Sequence, residues 1–181
     1  LGVTVQVLAG GEVYLSLERG AIDAAEWIGP YDDERLGLHE VAPYYYYPGW
    51  WEPGPNLSFY INQSEWESLP STYREALQTA AAEANVRMVS EYDAKNPQAL
   101  GRMLESGIQL RRFSDELMSQ AQEATRSLFE EQAAASSQYR KIYENWRQFK
   151  NTSHQWFATA ELSYADFAYR QQADFEGSAP S

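Results

Sequence analysis

Two carboxylates set beside indoles, Glu26-Trp27 and Trp51-Glu52, are the residues of this chain best suited to chemistry. An ionised carboxylate costs several kcal/mol to withdraw from water, of order 3 to 5, unless a cation or several donors compensate it. Residues 21–54, which contain both pairs, hold more acids and aromatics than a core needs. This composition predicts a walled site that holds a cation. Two other uses of the same residues stay open. Glu26 and Glu52 are also the pair a glycoside hydrolase would use as acid and nucleophile, with tyrosines and tryptophans as sugar platforms. Or they are ordinary acids, solvated or bonded to backbone amides.

Other candidate clusters carry less. Asp32-Asp33-Glu34 offers a second metal cluster, but acids just after Pro30 are better read as favouring a helix N-terminus. Tyr44 to Tyr47 resembles a sugar platform, although aromatics on both faces of a strand usually line a core and a cleft. His39 and His154 have no serine or cysteine motif beside them, so they read as surface or packing histidines. Gly10-Gly11 lacks the spacing of a phosphate loop and reads as a turn.

The elements that must position Glu26 and Glu52 follow from periodicity. Val3, Val5 and Val7 alternate with Thr4 and Gln6, which predicts a strand ended by Gly10-Gly11. A short helix over residues 13–18 and a buried strand over 21–28 come next, stopped by Gly29-Pro30. Such a succession marks a parallel α/β sheet, in which ligands sit at the carboxyl ends of strands. Glu26 and Trp27 fall at such an end. Further strands are expected over 41–47 and 56–62, separated by a PGWWEPGP loop that Pro48, Pro53 and Pro55 stiffen around Glu52.

Beyond Pro70 the pattern turns helical. Tyr73, Leu77, Ala80, Ala84 and Met88 recur at helical spacing, with Thr72 and Glu75 as a possible capping box. Asn96-Pro97 is expected to restart a second helix, Gly107 to end it, and residues 108–113 to form a strand. Ser114 offers an N-cap. Residues 115–149 lack proline and glycine and carry an apolar stripe, which predicts one long helix, followed by another over 154–173 and a disordered EGSAPS tail. A kinked helix folding back on its own chain is the alternative. Three segments result, 1–55 with the cleft loops, 56–113 as crossover, and 114–181 as a long helix and terminal helix that could serve dimerisation or stand as a helical interaction module.

With 181 residues, 44% of them hydrophobic, and a net charge of −12, the chain can bury a sizeable core and reads as an acidic protein. Nucleic acid is excluded as a partner, because phosphate binding needs a basic face and the basic residues here are scattered. No apolar run reaches the length of a membrane span, and the absence of cysteine excludes disulfides and thiol chemistry.

EWIGPYDDERLGL followed by YYYYPGWWEPG resembles the extracytoplasmic solute-binding proteins of TRAP transporters, the DctP-like family, in the branch that binds small 2-oxo or 2-hydroxy monocarboxylates. The resemblance extends upstream through LAGGEVYLSLERGAIDAAEW and downstream through NLSFYINQSEWESLP. It implies an α/β, periplasmic binding protein-like fold, of which this chain would be the C-terminal portion, and a receptor without enzymatic activity. It further implies one metal ion, sodium or calcium, held by Glu26, the Trp27 backbone carbonyl and Glu52 and shared with the ligand carboxylate. Partners implied are a small carboxylate such as pyruvate or lactate, the membrane subunits of the transporter, and a second copy joined by helix exchange, all in the periplasm. The family's substrate-clamping arginine and a glutamine of its metal shell would lie before Leu1, and with them any secretion signal.

Overall fold

The computed structural model describes residues 1–52, 54 and 56–177. Pro53 and Pro55, expected to stiffen the Glu52 loop, and residues 178–181 of the expected tail lie outside the described residues. The chain divides into two compact units, Gly2–Met118 and Ser119–Ser181.

In the first unit, helix α1 (Gly10–Glu18) is followed by α2 (Pro30–Arg35), α3 (Leu38–Val41), strand β1 (Tyr44–Tyr47), α4 (Gln63–Ser68), the long α5 (Ser71–Glu105) and strand β2 (Gln109–Arg112). β1 and β2 pair in parallel, Tyr44 opposite Gln109 through Tyr47 opposite Arg112. The ladder is extended at both ends, where the Gln109 amide donates to Pro43 at 2.9 Å and the Phe113 amide to Tyr47 at 2.8 Å. The buried apolar side chains of this unit, among the described residues, are Val13, Leu38, Ala99, Met103 and Ile108. Helices with a two-stranded parallel sheet agree with the α/β expectation.

α2 is fastened to α5 residue by residue. The Tyr31 amide donates to Asn96 Oδ1 at 3.0 Å, the Tyr92 hydroxyl donates to Asp32 at 2.6 Å, and Arg102 grips both oxygens of Glu34 at 2.7 and 2.6 Å. The Tyr31 ring lies under two cations, Lys95 Nζ at 4.8 Å and the Arg35 guanidinium at 5.3 Å. These contacts explain why Asn96-Pro97 does not restart a helix as expected. Pro97 sits inside α5 and removes a backbone donor at a cost of about 3 kcal/mol. Burial of Ala99 and Met103, about half a turn and about 1.7 turns later, together with the α2 clamp, holds the helix through it.

Three expected strands do not form. Residues 3–7, 21–28 and 56–62 have no ladder among the described residues, and Val3, Val5, Val7, Leu57 and Phe59 are exposed. Alternation marks a strand with one buried face, but backbone groups join a ladder only where a neighbouring strand exists. β1 is shorter than the expected 41–47 because residues 38–41 close the α3 turn. Gly10 and Gly11 open α1 rather than forming a separate turn. α5 begins at Ser71 with Pro70 before it and no side-chain cap, so the Thr72–Glu75 capping box is absent.

The second unit is helical. α6 (Asp115–Ala135), whose first turn belongs to the first unit, starts where Ser114 Oγ accepts from the Leu117 amide at 3.1 Å, the cap expected there. The single long helix over 115–149 is not found. α6 stops at Ala135, and α7 (Ser137–Phe157) begins with Ser136 Oγ accepting from the Tyr139 amide at 3.2 Å. Arg140 reaches back to donate to the carbonyls of Ala133 and Ala134, satisfying the C-terminal end of α6. Phe129 lies 5.6 Å from the Tyr143 ring and 5.8 Å from Trp146. In one straight helix residues 14 apart would be separated by about 21 Å, so the chain folds back on itself. α7 then runs through a π-helical turn, Ala158–Leu162, into α8 (Ser163–Gly177), which replaces the expected separate helix over 154–173 and takes Glu176 and Gly177 out of the expected tail.

Candidate functional site

Glu26 and Trp27 lie on an irregular limb between α1 and α2, where no strand ladder fixes the backbone. Trp27 is held by its indole. A Cβ on Gly10 would stand 2.6 Å from the Trp27 Cη2 atom, so only glycine at the start of α1 lets the ring lie there. Beyond Trp27, the amides of Ile28 and Gly29 donate to Asp33 Oδ1 at 3.4 and 3.3 Å. Asp33, only 6% exposed, also accepts from the Tyr45 hydroxyl on β1 at 2.6 Å through Oδ2. One carboxylate therefore touches both the limb and the strand.

Glu52 follows β1 by way of a loop entered at a cis Tyr47-Pro48 bond. Aromatic packing holds this loop. Trp50 and Trp51 stack at 4.5 Å, Trp51 meets the Phe113 ring edge-on at 6.0 Å, and Phe113 stacks on Tyr46 at 5.0 Å. Phe113 lies next to β2, so both strands contribute to placing the loop.

The electrostatics join the two limbs. The Glu26 carboxyl is held above the ordinary glutamate range, first because it is partly withdrawn from water, then because Glu52 and Asp33 repel its charge. Glu52 thus acts on Glu26 as a like charge, and among the described residues no cation counts among the causes of the Glu26 shift. Asp33 is likewise raised, chiefly by burial, against the opposing pull of its bonds from Tyr45, Ile28 and Gly29. Burial and the Asp33 charge push the Tyr45 hydroxyl upward.

Two carboxylates and a carbonyl are hard oxygen donors that suit sodium or calcium, and repulsion between the acids is what a bound cation would relieve. The set is partial. Calcium takes about six to eight oxygens, whereas among the described residues no group of three or more acids or histidines is gathered as a ready metal cluster. Asp32, Asp33 and Glu34 do not form the second metal cluster weighed from the sequence. They point to three different partners, Tyr92, Tyr45 and Arg102. Of the tyrosines on β1 only Tyr45 is half-buried, while Tyr44, Tyr46 and Tyr47 are exposed, with Arg111 over the Tyr44 ring at 5.1 Å. His39 packs, its Nδ1 buried and without a hydrogen-bond partner among the described residues.

Sequence reasoning missed Asp33 as a link between limb and strand. The available signal was its place in the first turn of a helix opened by Gly29-Pro30, from which a carboxylate can reach back to preceding amides.

Residues 1–136 match the family of bacterial extracellular solute-binding proteins, family 7, and the chain belongs to that family. It is a family of substrate-binding receptors, not enzymes, which sets aside the glycoside hydrolase reading of Glu26 and Glu52. The chain is 51% identical, over 95% of its length, to a monocarboxylate 2-oxoacid-binding periplasmic protein of Nostoc sp., of which it covers 47%. Among solved structures it matches a TRAP transporter solute-binding protein of Bordetella bronchiseptica with 37% identity and a TM-score of 0.86, over 93% of this chain and 50% of that one. That structure is a mixed-occupancy dimer with calcium and picolinate in one site. It also matches the Colwellia psychrerythraea protein with bound calcium and pyruvate, at 34% identity and a TM-score of 0.86, over 91% of this chain and 51% of that one. A third match, from Pseudoalteromonas atlantica with bound sodium and pyruvate, has 32% identity and a TM-score of 0.82, over 89% of this chain and 49% of that one. The chain spans about half the length of these relatives.

Proposed function

We propose that this chain carries part of the ligand site of a TRAP-type solute receptor that captures a small monocarboxylate, a 2-oxo or 2-hydroxy acid such as pyruvate or lactate. Its ligands for one metal ion, sodium or calcium, are Glu26, the Trp27 backbone carbonyl and Glu52. When bound, the ion supplies a positive charge that neutralises the two glutamates and attracts the substrate carboxylate. In this reading Glu26 and Glu52 contribute their charges from two limbs, beside Trp27, whose indole packs on Gly10, and Trp51, whose indole meets Phe113. The receptor works in the periplasm and passes its ligand to the membrane subunits of the transporter. Among the described residues no helix is long and apolar enough to cross a membrane.

The feature that supports this reading is the pair of carboxylates on two limbs, with Glu26 held above the ordinary glutamate range first by partial burial and then by the charge of Glu52. Support also comes from the calcium, sodium and pyruvate bound by the related structures. Calorimetric titration with calcium, and then with pyruvate in its presence, tests it. Glu26→Gln and Glu52→Gln should each abolish the calcium heat. Parent-like binding by both variants would rule the assignment out.

A second element of the reading is association through α7 and α8. Ile142, Phe149, Trp156, Phe167 and Tyr169 are exposed along these helices, and exchange of a terminal helix between two copies would cover them.

A further inference from the structure

We propose that Asp33 is the positioning residue of the site, a latch whose single carboxylate fixes the Glu26-Trp27 limb to β1 and so sets the spacing of the two metal-binding glutamates. The proposal rests on the reading of Glu26 and Glu52 as metal ligands. Its basis is where the hydrogen bonds of the limb go. Residues 21–28 form no strand, so no ladder holds them among the described residues. At the end nearer the site the limb's amides, Ile28 and Gly29, both terminate on Asp33 Oδ1. The other oxygen of the same carboxylate takes the Tyr45 hydroxyl at 2.6 Å. Tyr45 belongs to the strand from which the Glu52 loop departs, and its strand partner is Leu110.

The leashes from this latch are short. Glu26 lies three positions before Gly29, at most about 10 Å of extended chain, and Glu52 seven positions after Tyr45, at most about 25 Å. A change at Asp33 is therefore felt at both glutamates. Burying a carboxylate that is 6% exposed is a poor way to obtain stability alone, since an apolar side chain would fill the space without the desolvation cost. What the carboxylate adds is three acceptor bonds in fixed directions, from two amides and one hydroxyl, which an apolar residue cannot make. Supporting partners of metal ligands act in this manner, and their loss typically weakens metal affinity by about 10- to 100-fold.

The chain has no cysteine, so two can be introduced as label sites without background. Ala24→Cys and Gly49→Cys lie one on each limb, both at exposed positions, and a Cβ at Gly49 meets nothing within 4 Å. Nitroxides at these two positions report limb spacing by electron paramagnetic resonance. Terbium, a calcium surrogate whose emission is excited through nearby tryptophans, reports the site itself. Asp33→Ala and Tyr45→Phe should at least double the width of the label distance distribution and raise the terbium dissociation constant about tenfold. Asp33→Asn, which keeps an acceptor for both amides and a polar contact with Tyr45, should restore both readouts toward the parent. Tyr44→Phe, on the same strand but outside the latch, should change neither. Tyr45→Phe removes one hydroxyl and decides the matter if Asp33→Ala does not fold. Unchanged distance widths in folded Tyr45→Phe overturn the latch, and so do broadened widths with an unchanged terbium constant. If the parent binds no terbium, the metal reading of Glu26 and Glu52 fails, while the latch still stands or falls on the label widths.

Discussion

At Gly10 the absence of a side chain is what admits the Trp27 indole, since a Cβ there would stand 2.6 Å from the ring. Gly10→Ala should therefore displace the ring or the start of α1. Overpacking of this kind costs about 1 to 3 kcal/mol, readable as a lower urea midpoint together with a red shift in tryptophan emission. Asp33 sets a second expectation, in pH. Its folded-state value is raised, chiefly by burial, so the folded chain holds the proton more tightly than the unfolded one. The stabilising contribution is fully present below the ordinary aspartate value of about 4 and is lost as pH rises through the higher folded value. Asp33→Asn, permanently neutral, should accordingly gain on the parent in melting temperature as pH increases from about 4 to about 7. A difference that stays flat over this window would mean that the Tyr45 and amide bonds fully offset the burial.

Capping residues divide the elements where hydrophobic patterns do not. Residues 115–149 read as one helix because they lack proline and glycine and keep an apolar stripe, yet Ser136 takes the amide of Tyr139 and turns the chain there. Ser136→Ala should cost about 1 kcal/mol, the usual worth of such a cap, as measured by denaturant unfolding. Pro97 shows the opposite case, a breaker overridden by packing. Asn96→Ala would leave the Tyr31 amide without its partner and should loosen α2 from α5, at a cost of about 1 to 3 kcal/mol. The same contrast sets what the sequence made legible. Helical segments and the Ser114 cap are local in origin and could be read from spacing, while the strand expected over 108–113 forms over 109–112 because β1 lies beside it. The alternating valines at 3, 5 and 7 could not decide a strand, because a ladder depends on a neighbour that local pattern does not contain. At the site, Glu26, Trp27 and Glu52 stood out by residue type, whereas Asp33 and Tyr45, weighed separately as part of a metal cluster and of a sugar platform, are joined only by the fold.

At the scale of the molecule, a net charge of −12 coexists with a long aromatic surface on α7 and α8. Phe149 and Trp156 are 71% and 63% exposed, more apolar area than a solitary helical hairpin would be expected to leave in water. Light scattering should find the chain associated as a dimer, and Phe149→Glu with Trp156→Glu should return it to monomer. A parent that scatters as a monomer at micromolar concentration would remove helix exchange from the reading. The α2 clamp carries a consequence of another sort, in time. Tyr31 is anchored by a residue 65 positions later, and Glu34 by one 68 positions later. Contacts so distant along the chain close slowly, because the intervening loop must be ordered before they repay it. A polypeptide that leaves the ribosome N-terminus first thus has Tyr31 and Glu34 in water well before the Asn96 and Arg102 side chains that clamp them have been synthesised, and the docking of α2 on α5 is among the later events of its folding.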